Sequence, residues 1–205
     1  MTTRWSAVIL AGGAGRRLGG RDKPAIVVGG RTLLDRAVEA CAGSAEVVVV
    51  GPQRSTARPV RWTREDPPGS GPLAALHTGL TATTTAPDVV VVLAADLPSI
   101  TAAQVARLID ALESADDADA ALAADAGGRV QPLVGAYRAE ALRAAVIAIS
   151  DPRDQAFHRV LPRLTVITVA DLPGTSDIDT PDDLARWQTR PGRAETEEID
   201  VEREH

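Results

Sequence analysis

The feature that most restricts the folds open to this chain is a rhythm of short, nearly uninterrupted apolar runs, each stopped by glycine, proline or aspartate. Residues 7–11, 46–50 and 89–94 are such runs, and weaker ones lie at 60–63, 120–124, 133–137 and 164–169. A continuous apolar run, as opposed to an alternating one, suits a strand buried on both faces, which is the environment of a parallel sheet. Helix-length segments separate the runs: 32–42, 73–80, 101–114 and 139–149. Thr101-Ala-Ala-Gln104 matches a capping box, and Thr180-Pro181 opens a last helix with threonine as cap and proline at the first position. Strands alternating with helices in this way predict a three-layer α/β/α sandwich around a mostly parallel sheet.

With aromatic residues at only 2% of 205, the core must be built from Ala, Val, Leu and Ile. Residues 1–189 make one domain of ordinary size, and 190–205, acidic and turn-rich, read as a disordered tail. A net charge of -6 and a pI near 5.1 argue against a general binder of nucleic acid or of anionic membranes. Cys41 stands alone in an Ala/Val-rich helical pattern, so it reads as a small core residue with no disulfide framework around it. His77, His158 and His205 have no metal-ligand spacing. No stretch approaches the roughly 20 apolar residues of a membrane span, and the N-terminus lacks the order of a signal peptide. The expectation is a soluble cytoplasmic protein.

Directly after the first apolar run comes a loop with glycine at 12, 13, 15, 19 and 20, joined by Arg16, Arg17 and Lys23. Such a loop lets backbone N–H groups approach an anion closely. It is not the G-x-x-x-x-G-K-[ST] loop, because Gly20 is followed by Arg-Asp-Lys-Pro. Nor is it the G-x-G-x-x-G fingerprint, because Gly13-Ala-Gly15-Arg-Arg-Leu-Gly19 has one residue too many. What remains is a set of amides with guanidinium and ammonium groups, suited to a triphosphate. Lys23 is the only lysine among 22 basic residues, so a chain that writes arginine elsewhere keeps one compact ammonium in this loop.

Asp96 ends the most apolar run. An aspartate at the carboxyl end of a buried strand lies where open α/β sheets bind their ligands. It is either a helix cap or a ligand to a hard cation, and Thr101 is the better cap. Phe157 reads as core, while Arg153 and Arg159 near it suit an anionic substrate or plain solvent exposure.

Taken in order, "LAGGAGRRLGGRDKP", "REDPPGSGPLAALHTGL", "VVVVLAADLPSIT" and "SDIDTPDDLARWQ" resemble the motifs of nucleotidyltransferases, most closely the molybdenum cofactor guanylyltransferases, over residues 5–189. The resemblance implies a Rossmann-like nucleotide-binding half. It implies transfer of GMP from GTP to the terminal phosphate of a molybdopterin-type acceptor, with loss of pyrophosphate, dependence on Mg²⁺ and transient contact with cofactor-delivery or molybdoenzyme chaperone proteins. It implies catalytic roles for Arg16, Lys23 and Asp96. Nucleotide contacts would fall on Leu10, Ala11, Gly12, Gly13, Ala14, Gly15, Lys23, Gly51, Asp66, Gly71 and Asp96. Asp96 would bind metal, joined by Asp179. Asp177 and Asp179 stand where related enzymes often carry Asn, and Gly51 stands where an Asn side chain can serve, so Gly51 would act only through its backbone. Gly12-Gly13, in place of Ala-Gly, leans toward guanylyl over cytidylyl transfer. A related cytidylyl- or sugar-phosphate nucleotidylyltransferase and a non-catalytic nucleotide-binding regulator are the alternatives.

The composition of the tail generates the first prediction. Removing residues 191–205 leaves the Tm and nucleotide turnover unchanged, because the segment has too few apolar groups to pack. A thermal melt that drops by several degrees contradicts it.

Overall fold

The computed structural model describes residues 3–12, 21–125, 127–170 and 172. The predicted sandwich is found. Seven strands form one sheet in the order β5-β4-β1-β6-β8-β7-β9. They are β1 (Trp5–Leu10), β4 (Val47–Val50), β5 (Arg61–Thr63), β6 (Val89–Ala94), β7 (Ala120–Ala124), β8 (Val130–Arg138) and β9 (Val166–Val169). All neighbours pair in parallel except β8, which runs antiparallel to β6 and β7.

Among the described residues four α-helices cover the two faces: α1 (Leu33–Ala40), α2 (Pro72–Ala82), α3 (Ala102–Glu113) and α4 (Ala139–Ile147). The pleat sends Ala7, Ile9, Val91 and Leu93 toward Leu34 and Val38 of α1 and Leu108 and Leu112 of α3. It sends Val8, Val50, Val90 and Val92 toward Leu73 and Leu76 of α2 and Leu142 and Val146 of α4. The strands therefore carry apolar residues on both sides, which is why their sequences read as runs. Phe157 and Cys41 are buried as expected, and burial pushes the Cys41 thiol up to about 12. Phe157 lies in a short 3-10 segment (Phe157–Arg163), its ring centroid 6.0 Å from that of Tyr137. No helix among the described residues is long and apolar enough to cross a membrane.

The helix ends explain several polar residues. Thr32 accepts the Asp35 N–H at 3.0 Å and opens α1. Thr101 and Gln104 form the full capping box of α3. Arg138 donates to the carbonyls of Leu112, Ala115 and Ala118, and Arg143 to that of Leu80, so the arginines satisfy carbonyls at and just beyond the ends of α3 and α2.

Two features escape the apolar pattern. A hairpin of β2 (Val27–Val28) and β3 (Arg31–Thr32) turns through Gly29 and Gly30, both at positive φ. Its strands are two residues long, too short to show a period. The reversal at β8 is likewise invisible, because an apolar run has no direction. Its cause is the tight connection from β7, where Asp125 accepts the N–H groups of Gly127 and Arg129 at 2.9 Å. The last helix at 180 and the tail lie outside the described residues.

Helix α2 approaches the sheet through Gly79, where a Cβ would stand 2.5 Å from Val8 Cγ1 and 2.9 Å from Val50 Cγ2. Gly79→Ala therefore destabilises the protein by about 1–3 kcal/mol in urea unfolding, although alanine is the better helix former. An unchanged or raised midpoint would show that the valines yield freely.

Candidate functional site

From β1 the chain moves to one side, through α1 to β4 and then β5. It returns through α2 to place β6 on the opposite side of β1. A crevice forms outside the carboxyl ends of strands at such a reversal. Leu10 is level with Val50 and Ala94, so three strands end together. Their pairing continues into the loops: the Ala11 N–H donates to Val50 O at 2.8 Å, Ala95 N–H to Leu10 O at 3.0 Å and Gly51 N–H to Thr63 O at 2.9 Å.

Lys23 and Asp96 meet at this end. The Lys23 ammonium lies 3.5 Å from Asp96 Oδ2, with side chains 17% and 20% exposed. Lys23 opens a 3-10 turn (Lys23–Ala25) whose Pro24 is buried, and Asp96 stands two residues beyond β6. Since Thr101 and Gln104 cap α3 between them, Asp96 is not its cap. The pair is partly sheltered and still open to solvent. Its ammonium suits phosphate oxygens. Its carboxylate suits a hard cation, whose other positions phosphates and water would fill. Among the described residues no group of three or more His, Cys, Asp or Glu residues gathers to hold a metal alone. A single carboxylate beside a phosphate site nevertheless fits magnesium, which keeps most of its oxygen ligands from elsewhere.

The sequence reading missed Arg54. Its Nε and Nη2 grip both oxygens of Asp22 at 2.7 and 2.6 Å, while Nη1 donates to Pro52 O at 2.8 Å and Ala11 O at 3.2 Å. Its one sequence signal is its place just past a buried strand. Gly51 has φ +149, and a Cβ there would stand 2.7 Å from Ala11 O. That close approach leaves no room for a side chain at this position.

Asp66 is exposed, whereas its neighbour Glu65 is buried. Glu65 Oε1 accepts the Gly69 N–H at 3.0 Å and lies 3.8 Å from where a Gly12 Cβ would be. Sequence pointed to the aspartate of this loop; the structure turns the glutamate toward the glycine-rich segment. Gly71, at φ +92, caps α2 and faces the backbone of Asp154 and Gln155. The Asp154 N–H donates to Ser70 O at 2.7 Å, and the Leu73 N–H to Gln155 O at 3.3 Å. The segment carrying Arg153 thus docks beside Gly71. Arg153 is held by Asp151, and Arg153 and Arg159 are both exposed. Leu10 and Ala11 are buried, and the Ala11 N–H is spent on Val50, so any anion cradle begins at Gly12. Gly13, Ala14, Gly15, Arg16, Asp177 and Asp179 lie outside the described residues.

Known proteins share this fold. The family described as MobA-like NTP transferase domain matches residues 7–171. A molybdenum cofactor guanylyltransferase of Bradyrhizobium sp. (strain ORS 278) is 38% identical over 144 residues, covering 66% of this chain and 67% of its own. One from Shewanella sp. (strain ANA-3) is 30% identical over 194 residues, covering 91% and 96%. The crystal structure of molybdopterin-guanine dinucleotide biosynthesis protein A from Archaeoglobus fulgidus superposes with a TM-score of 0.68 at 24% identity, covering 89% of this chain and 96% of that one. The chain belongs to the MobA-like NTP transferase domain family.

Proposed function

We propose that this protein transfers GMP from GTP to the terminal phosphate of a molybdopterin-type acceptor. In this reaction an acceptor phosphate oxygen bonds to the α-phosphorus of GTP. The bond from that phosphorus to the oxygen bridging toward the β-phosphorus breaks, and pyrophosphate leaves. The observation that carries the reading is the Lys23–Asp96 pair at the shared carboxyl end of β1 and β6, in a chain whose relatives are named guanylyltransferases.

The chemistry asks for placement and charge rather than a protein nucleophile. The Lys23 ammonium offsets charge that grows on the phosphates as pyrophosphate departs. The glycine-rich sequence that starts at Gly12 suits backbone N–H contacts to the triphosphate. Asp96 would hold Mg²⁺, which when bound polarises phosphate oxygens as a Lewis acid. The acceptor lies toward the segment 151–155, which is hydrogen-bonded to the Gly71 turn.

The deciding assay measures pyrophosphate release with GTP, CTP, UTP and dTTP, each with and without a molybdopterin-type acceptor. Acceptor-dependent release from GTP supports the reading. Preference for CTP reassigns the nucleotide, and binding without turnover points to a regulator. Lys23→Ala lowers kcat/KM by roughly 10²–10³-fold, as removal of other preorganised donors does, and Lys23→Arg recovers only part of it. Asp96→Asn raises the Mg²⁺ needed for half-maximal rate and cuts kcat, while GTP still binds in equilibrium dialysis. An unaltered magnesium titration removes Asp96 from the metal site.

A further inference from the structure

We propose that Arg54 is a positioning residue of the nucleotide site, neutralising Asp22 and pinning it so that Lys23 meets the phosphates without a second competing carboxylate beside Asp96. The inference rests on the nucleotidyl-transfer reading above. Asp22 is the residue immediately before Lys23, and its carboxylate is half-exposed. Left alone, it would draw the ammonium away from Asp96 and repel an approaching triphosphate. Arg54 occupies both of its oxygens in a side-by-side fork, the strongest geometry available to a guanidinium and a carboxylate.

The rest of the guanidinium is spent on main chain. Nη1 reaches Ala11 O, at the end of β1 where the glycine-rich loop begins, and Pro52 O, in the loop after β4. One planar group thus ties three segments that the sequence keeps 43 residues apart at the extreme. A lysine has the charge but neither the fork nor the second direction. The Asp22 backbone is part of the same unit, since its carbonyl accepts the Ala25 N–H at 3.0 Å and the Lys23 carbonyl accepts that of Ile26 at 3.0 Å. Holding Asp22 therefore holds the turn from which the Lys23 side chain springs.

The test uses the full chain and begins with the wild type against Mg-GTP, Mg-CTP, Mg-ATP and Mg-UTP. That measurement alone decides the nucleotidyl-transfer reading and involves no variant. With the preferred nucleotide, Arg54→Ala raises KM by roughly tenfold with a smaller loss in kcat, an effect that shrinks at high salt. Adding Asp22→Asn to that variant brings KM back to within about threefold of wild type, because the unpaired charge is gone. Asp22→Asn by itself shifts KM by less than about threefold, because its amide oxygen still accepts from Arg54 and no unpaired carboxylate is created. A double variant as impaired as Arg54→Ala overturns the proposal, since Arg54 would then act on the nucleotide directly. A KM raised about tenfold or more by Asp22→Asn alone overturns it too, and that arm stands even if Arg54→Ala fails to fold. Hydrogen exchange without nucleotide supplies a separate readout: in Arg54→Lys the Ala25 and Ile26 amides exchange at least about tenfold faster, with amides of β6 unchanged. Unchanged protection at Ala25 and Ile26 overturns the pinning.

Discussion

The structure depends on the commitment of the last peptide groups of β1. A strand with parallel partners on both edges and apolar helices on both faces has nowhere to shift. Its final carbonyl takes the Ala95 N–H, and the Ala11 N–H goes to Val50. Three loops, after β1, β4 and β6, are thereby fixed at one level. Everything with chemical interest departs from those loops or is tied to them.

On that rigid rim the charges come as two pairs: Lys23 with Asp96, and Arg54 with Asp22. The two are built for different ends. Arg54 makes four hydrogen bonds, two to main-chain carbonyls, and its side chain is 15% exposed, which describes a fixed strut. Lys23 and Asp96 stand at 3.5 Å, longer than a charge-assisted hydrogen bond, and each has partners of its own kind to gain from a phosphate or a cation. A fixed, bidentate ion pair thus stands beside a longer one at the same end of the sheet.

Much of this was legible in the sequence, and the physical reasons are uneven. Apolar runs such as Val89–Ala94 announced strands because two-sided burial leaves no place for polar residues. Thr101 and Gln104 announced a helix start because a cap needs side-chain oxygens at that spacing. Lys23 stood out through rarity, and Asp96 through its place at a strand end. Arg54 did not stand out, for one arginine among twenty-one carries no rarity, and its partners Asp22 and Ala11 lie 32 and 43 residues away. That Glu65 is buried while its neighbour Asp66 is exposed was not legible, because composition does not tell which of two adjacent carboxylates turns inward. The β2–β3 hairpin was missed because two residues make no period.

The lone ammonium has a practical corollary. In most proteins an amine-reactive reagent finds many lysines and reports on none in particular. Here the only amines in the sequence are the chain's own N-terminus and the ε-amine of Lys23, the latter 17% exposed and beside a carboxylate. Acylation of this protein therefore reaches a single side-chain amine, told apart from the N-terminal amine by peptide mapping. Under the proposed function, nucleotide covering the ammonium slows its acylation, so the native side chain would serve as a covalent reporter of occupancy.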